Sequence, residues 1–205
     1  MNNIKVEYWF PTPIWIVDLD IDNESIKKAC LKLREDNPEG RTLSNRGGWQ
    51  SNDLYPEHNI AVFTPLIKKI ADCINVILST DYEDLERSAV VSQYWININN
   101  KNDINQVHSH PGSFLSGVYY VSSSEGSGNI HFERDSQEIY SLGLLKLSGQ
   151  TTVGGINCEY PPIEKRLLIF PGWVPHSVLP NTLDTDRISI AFNSEIRSNT
   201  FGGIL

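Results

Sequence analysis

The chain has 205 residues, a formal net charge of −8 and a pI near 5.1, with 40% hydrophobic and 20% charged residues. That is a globular composition, long enough for one domain with a substantial core, and neither disordered nor fibrous. The acidic balance, with no basic run to offset it, argues against nucleic acid or an anionic membrane surface as partner, since both are polyanions.

Cys30, Cys73 and Cys158 are an odd, widely spaced set without a CxxC, so neither a disulfide framework nor a thiolate metal site is expected. The first residues, MNNIKVEYWFPTPIW, carry two prolines within their apolar part and no charged leader. No stretch approaches the ~20 apolar residues of a membrane span. The expectation is a soluble, cytoplasmic protein.

In chain order, residues 4–19 read as an extended segment broken by Pro11 and Pro13. DNESIKKACLKLREDN predicts a helix, with Asp22 or Asn23 as cap and Ile26, Cys30 and Leu33 at helical spacing. RTLSNRGGWQSNDLYPEHN has no period and reads as a long loop, of the length that often forms a lid. A second helix is predicted from Thr64 as N-cap and Pro65 at the first helical position, ending near Asp81. Ile67, Ile70, Ala71, Ile74 and Ile77 make its apolar face.

From Ser88 the texture changes. SAVVSQYWININN, FLSGVYYVS, GNIHFER, EIYSLGLLKL, KRLLIFPGW, PHSVL and DRISIAFNS are short β-rich runs between Gly, Pro, Asn and Ser clusters. They predict an antiparallel sandwich or barrel of about eight strands. Helices and strands share one expected core, giving a single domain over 1–205, helical over about 1–87 and β-rich over about 88–197.

Histidine is sparse, five residues in the chain, yet two of them stand one residue apart in HSHPGSFLSGVYYV. Residues i and i+2 of an extended strand share a face, so His108 and His110 offer a two-imidazole chelate at a strand end marked by Pro111 and Gly112. An HxH on its own is more often a polar rim than a metal site. A third candidate ligand is His176, in LLIFPGWVPHSVLPNTLDTDRISIAFN. The chain is expected to turn at PNTLDT and return beside it as a strand. There Ile188, Ile190 and Phe192 make an apolar face, and Arg187 and Ser189 share the other. A guanidinium fork with a hydroxyl two residues away suits a carboxylate, the bland alternative being a solvated face. Whether His176 shares that face depends on hairpin register.

Taken together, HSHPGSFLSGVYYV, GNIHFER, LLIFPGWVPHSVLPN and RISIAFN resemble the 2-oxoglutarate- and Fe(II)-dependent oxygenase superfamily. The nearest resemblance is to an uncharacterised branch of marine bacteria and their phages that shares an HxHPGSxxSGVYYV signature. The NRGGWQS loop shares the likeness, which is strongest from Trp95 to Asn193. The resemblance implies a mainly β fold, a double-stranded β-helix or jelly roll with the two N-terminal helices packed on it. It implies that His108 and His176 bind Fe(II), that Arg187 with Ser189 grips the distal carboxylate of 2-oxoglutarate, and that Tyr120 hydrogen-bonds the same carboxylate. It also implies hydroxylation of a C–H bond of a small-molecule or peptide substrate, with O2 consumed and succinate and CO2 released.

The departure is His110, which stands where the superfamily has a metal-binding carboxylate. Three imidazoles leave ferrous iron at a net +2, against +1 with the usual two histidines and one carboxylate. Either His110 is the third ligand, or water fills that place, or Glu133 or Asp135 reaches in. His58 and His131 show no such pattern, and Trp49 and Trp173 are candidates to cover a substrate, although packing is the commoner role for a tryptophan. Two other functions stay open: a three-histidine iron dioxygenase independent of 2-oxoglutarate, and a jelly roll that binds a small anion or sugar without turnover. A homodimer is the default oligomer.

Overall fold

The computed structural model describes residues 11–134 and 155–198. Helix α1 (Asn23–Asp36) begins where Asp22 accepts a hydrogen bond from the Ser25 amide at 3.2 Å, and it buries Asn23, Ile26 and Cys30. Helix α2 (Thr64–Thr80) buries Leu66, Ile67, Ile70, Ile74, Ile77 and Leu78. The expected Thr64 cap is displaced by one residue. Phe63 occupies the cap position, and the Thr64 hydroxyl bonds back to the Ile60 carbonyl at 3.2 Å.

The strands are more numerous than the sequence pattern suggests. Early in the chain stand β1 (Trp15–Asp18), β2 (Asn45–Arg46) and β3 (Trp49–Gln50), followed by a 3₁₀ turn at Pro56–His58. The β-rich part comprises β4 (Arg87–Asn99), β5 (Ile104–His108), β6 (Leu115–Ser122), β7 (Ile130–Glu133), β8 (Asn157–Tyr160), β9 (Arg166–Pro171), β10 (His176–Val178) and β11 (Arg187–Ser198). The run expected over 138–147 lies outside the described residues. β2 and β3 sit inside the stretch read as an unbroken loop; two residues each are too short to show a period.

Two antiparallel sheets form. The larger has strand order β1-β9-β6-β11-β4-β3, and the smaller β2-β5-β10-β7-β8. The expected hairpin between the His176 run and the returning strand does not exist: β10 belongs to the small sheet and β11 to the large one. The PNTLDT segment is a crossover between sheets, a connection that period-2 patterning cannot distinguish from a turn.

The main core lies on the outer side of the large sheet. There Ile26, Cys30, Ile70 and Ile74 of the helices join Ile96, Ile98, Tyr119, Ile190 and Phe192 in one apolar cluster. A smaller cluster, including Val118, Tyr120, Leu168 and Phe170, faces the other way. β6 and β9 are therefore apolar on both faces, which is why SGVYYV and RLLIF read as continuous runs rather than alternations.

Asn23 ties α1 to this sheet. Its buried amide donates to the Val121 carbonyl at 2.8 Å and accepts from the Tyr119 hydroxyl at 2.6 Å. Asn23→Ala strands both partners in the core and should cost about 2–6 kcal/mol, counting ~1–3 kcal/mol for each unsatisfied group. Asp22→Ala, losing only an exposed cap, should cost about 1 kcal/mol. Urea unfolding of the two variants checks the ranking, and equal losses would contradict it.

Candidate metal centre

His176 opens β10 directly opposite His108, the last residue of β5, and the two rings lie 4.4 Å apart between centroids. Their tautomers follow from their backbone partners. Nδ1 of His108 meets the Gln106 carbonyl at 2.7 Å, and Nδ1 of His176 meets the Val174 carbonyl at 2.9 Å. A carbonyl only accepts, so each Nδ1 carries the proton and each Nε2 keeps its lone pair for a metal.

His110 lies just beyond β5, in the turn rather than on the strand. Its amide donates to the Gly172 carbonyl at 2.7 Å, and its own carbonyl accepts from Ser113 at 3.1 Å. Gly172 permits this approach, since a Cβ there would sit 2.5 Å from the Ser113 carbonyl oxygen and 3.0 Å from that of His110. The His110 ring is 5.1 Å from each of the other two, and Trp95 packs 5.6 Å from it. Ligand atoms of the three imidazoles lie within 4.8 Å of one another, a spacing one ion could bridge.

Burial tunes these rings. Phe170 stands edge-on to His176 at 4.7 Å, with Phe132 at 6.1 Å, and desolvation drops the His176 pKa to about 3. Desolvation, reinforced by His108, takes His110 to about 4, and it lowers His108 as well. All three are therefore neutral near pH 7, the form that ligates a metal.

The rings open into a cavity of about 320 Å³ between the sheets, with Arg187, Ser189 and Tyr120 also on its wall. Register explains the grouping on the large sheet. Ser189 of β11 pairs with Asn97 of β4 on one side and Tyr120 of β6 on the other, so all three project the same way. The fork and the histidines thus face each other across the sandwich instead of sharing a sheet face. Arg187 is 2% exposed. It donates through Nη1 to the Gly128 carbonyl at 2.9 Å and through Nη2 to Asn99 Oδ1 at 2.8 Å. Its Nε has no partner, and no described carboxylate forms an ion pair with it. Gly128 is required here, with φ of +95° and a would-be Cβ 2.2 Å from the Leu179 carbonyl oxygen. Burial holds the Tyr120 phenol neutral at about 12, although Arg187 pulls the other way.

Other candidates are sorted by face. On β4, Gln93, Trp95 and Asn97 line the cavity, while Tyr94, Ile96 and Ile98 pack into the helix-backed core. Trp49 is not a substrate cover: it is buried in that core and donates to the Asn37 carbonyl at 2.8 Å. Trp173 is 62% exposed and is not part of the cavity wall. Glu133 cannot replace His110 as it stands. It shares a face of β7 with His131, 3.6 Å away, while Ile130 and Phe132 face inward. His131 also meets Glu159 at 3.1 Å, and His58 is exposed against Tyr55, so both are outside the site. Asp135 lies outside the described residues.

Sequence reading missed Arg41, Asp53, Gln50 and Asn105 on the cavity wall. Asn105 lies on β5, a strand hidden by its polar composition, and the others lie in the stretch without a period. Only their charge or amide groups marked them, which many surface residues share.

A family described as "Putative 2OG-Fe(II) oxygenase" matches residues 93–193. Solved structures align over most of the chain. A prolyl-4-hydroxylase of Pseudomonas putida is 13% identical with a TM-score of 0.58, covering 88% of this chain and 91% of its own. HygX of Streptomyces hygroscopicus, solved with iron bound, is 12% identical with a TM-score of 0.57, covering 93% and 84%. The viral collagen prolyl hydroxylase of Paramecium Bursaria Chlorella virus-1, solved with 2OG, is 10% identical with a TM-score of 0.55, covering 88% and 94%. No curated protein matches in sequence. Among the described residues, no helix is long and apolar enough to cross a membrane.

The buried histidines make a prediction for metal-free protein. Their folded pKa values lie below the ordinary 6.5, so between that value and the folded one the unfolded chain binds more protons. Stability must then fall as pH drops below 6.5, by up to ~1.4 kcal/mol per pH unit per histidine. Urea midpoints of metal-stripped protein should be level above pH 7 and decline between pH 6.5 and 5, less steeply in His176→Gln. A level profile across that window would mean the rings are not desolvated.

Proposed function

We propose that this chain, whose residues 93–193 match a family described as putative 2OG-Fe(II) oxygenase, is such an oxygenase, a hydroxylase that holds Fe(II) on His108, His110 and His176 and 2-oxoglutarate on Arg187, Ser189 and Tyr120. One observation carries the reading. A convergent set of imidazole nitrogens and a buried guanidinium with an unpartnered Nε share one cavity. The donor sets fit both groups: neutral imidazole suits ferrous iron, and a guanidinium with spare N–H capacity suits a carboxylate.

When bound, iron and 2-oxoglutarate supply the oxidising equivalent drawn from O2, with succinate and CO2 as by-products. The protein's part is binding, orientation and exclusion of water. Carbonyls of Gln106 and Val174 fix the tautomers and ring planes of His108 and His176. Gly172 holds the His110 turn against the β9–β10 connection. Arg187 fixes the far end of the cosubstrate, while the neutral Tyr120 phenol and the Ser189 hydroxyl offer donors beside it. Val118, Ile130, Phe170 and Val178 make the wall between the two ends apolar, so water competes poorly for those bonds.

His110 in place of a carboxylate leaves the bound cation more positive. This strengthens attraction for an anionic cosubstrate and weakens retention of the metal alone. The test is anaerobic addition of Fe(II) and then 2-oxoglutarate to metal-stripped protein, following the visible metal-to-ligand charge-transfer band. The band should form in the wild type, vanish in His108→Ala and His176→Ala, and be lost or blue-shifted in His110→Ala. Arg187→Ala should weaken 2-oxoglutarate by about 10–100-fold, the equivalent of ~1.5–3 kcal/mol for charge-assisted bonds. Iron binding without any band would favour a three-histidine dioxygenase that uses no 2-oxoglutarate. No iron binding would leave a binding protein.

A further inference from the structure

The end of the cavity away from Arg187 carries a second charged feature. Arg41 and Asp53 form a two-pronged ion pair there, Nη1 to Oδ2 at 2.7 Å and Nη2 to the other oxygen, with both side chains about a quarter exposed. The segment bearing Arg41 is fixed: its amide donates to the Gln50 carbonyl at 2.8 Å, extending the large sheet beyond β3. Swapping the Gln50 side-chain amide so that its oxygen faces Arg41 lets it accept from Nε and Nη2 at 3.3 Å. The guanidinium carbon lies 6.0 Å from the Trp95 ring centroid, and Trp95 in turn packs against His110. One indole therefore separates the ion pair from the three histidines.

Resting on the oxygenase reading, we infer that the substrate oxidised in this cavity is a small zwitterion, a free amino acid, whose carboxylate pairs with Arg41 and whose ammonium pairs with Asp53. Among the described residues of the wall, Asp53 is the sole carboxylate, and Arg41 and Arg187 are the arginines. Arg187 belongs to the opposite end, held against Gly128 and Asn99, so the near end has one fixed charge of each sign and no net charge. That pattern discriminates between ligand classes. A simple anion that takes Arg41 leaves Asp53 half-buried and unpaired, and a simple cation does the reverse to Arg41. A neutral ligand leaves the pair closed across its path. A zwitterion replaces one ion pair by two, leaving no charge unmatched.

Size points the same way. About 320 Å³ is at the small end of the ~300–1,000 Å³ range of ligand pockets, and the cosubstrate must share it. Gln93 and Asn193 add amide groups beside Trp95, on the facing positions of β4 and β11. They suit the polar ends of such a molecule, while the indole face covers its aliphatic part.

The test uses wild-type protein loaded with Fe(II) and 2-oxoglutarate, first checked for the charge-transfer band. Succinate release is then measured with the standard free L-amino acids and with their N-acetyl and C-amide derivatives. At least one free amino acid should raise succinate release well above the substrate-free rate, and capping either end should lower kcat/KM by ~10-fold or more. Arg41→Gln and Asp53→Asn should raise KM for the free amino acid by a similar factor and leave the band in place. If the band forms but no free amino acid stimulates turnover, or capped forms do as well as free ones, the substrate assignment is wrong and the metal reading stands. If no band forms, the metal reading fails and takes this inference with it.

Discussion

A guanidinium buried with no ion-pair partner among the described residues is the constraint around which the inner half of the molecule is arranged. Arg187 keeps its charge between two sheets because carbonyl oxygens of the β6–β7 connection and the Asn99 side chain solvate it in place of water. Such solvation is partial, since Nε is left over. An internal charge of this kind is costly to hold, and a fold can tolerate it only if stability comes from elsewhere. Here it comes from the opposite face of the same sheet, where both helices bury their apolar stripes against Ile96, Ile98, Ile190 and Phe192. The large sheet is a partition, with a packed core on one side and a polar chamber on the other.

The same logic governs the histidines. Desolvation keeps the three rings neutral, which is what ligation requires, but neutrality gives a cation nothing to offset its charge. In a site with one carboxylate the protein supplies part of the countercharge. In a site of three neutral imidazoles all of it must come from ligands that enter later. With a metal held on these rings as proposed, it and Arg187 would be two positive ends of one chamber, a field suited to a dianionic molecule spanning them and ill suited to a cationic one. His110 is thus compatible with the anchor across the sandwich, not merely a substitution tolerated beside it.

Much of this was legible in the sequence because it follows from period and spacing. The two helices, the long strands β4 and β11, the HxH pair and the Arg187–Ser189 pair all carry a repeat of 2 or 3.6. What escaped was whatever depends on which sheet a strand joins. β10 has three residues and β11 follows it closely, so a hairpin was the natural reading, and only the crossover at PNTLDT sends the two into different sheets. Trp49 illustrates the other limit. It sits in a Gly- and Asn-rich stretch with no apolar neighbours in sequence, and pairing of β3 with β4 rather than local pattern puts it in the core. Arg41 and Asp53 were invisible for the same reason, being brought to the wall by an edge of the sheet that no periodicity announces.

β4 shows how these compartments remain separable. Its alternation sends Tyr94, Ile96 and Ile98 into the helix-backed core and Gln93, Trp95 and Asn97 into the chamber. Because pleating fixes the two sets to opposite faces, the chamber residues can change without altering the packing that holds the sheet to its helices. The chamber's other variable wall is the segment bearing Arg41 and Asp53, joined to β4 through the edge strand β3 and the Leu54–Tyr94 bridge. On the proposed reading, specificity is set on one strand face and one edge segment, and metal and cosubstrate binding on the small sheet with the adjoining His110 turn, on β6 and on β11. A scaffold divided in this way can change one wall of its chamber while keeping the three histidines and the Arg187 fork in place.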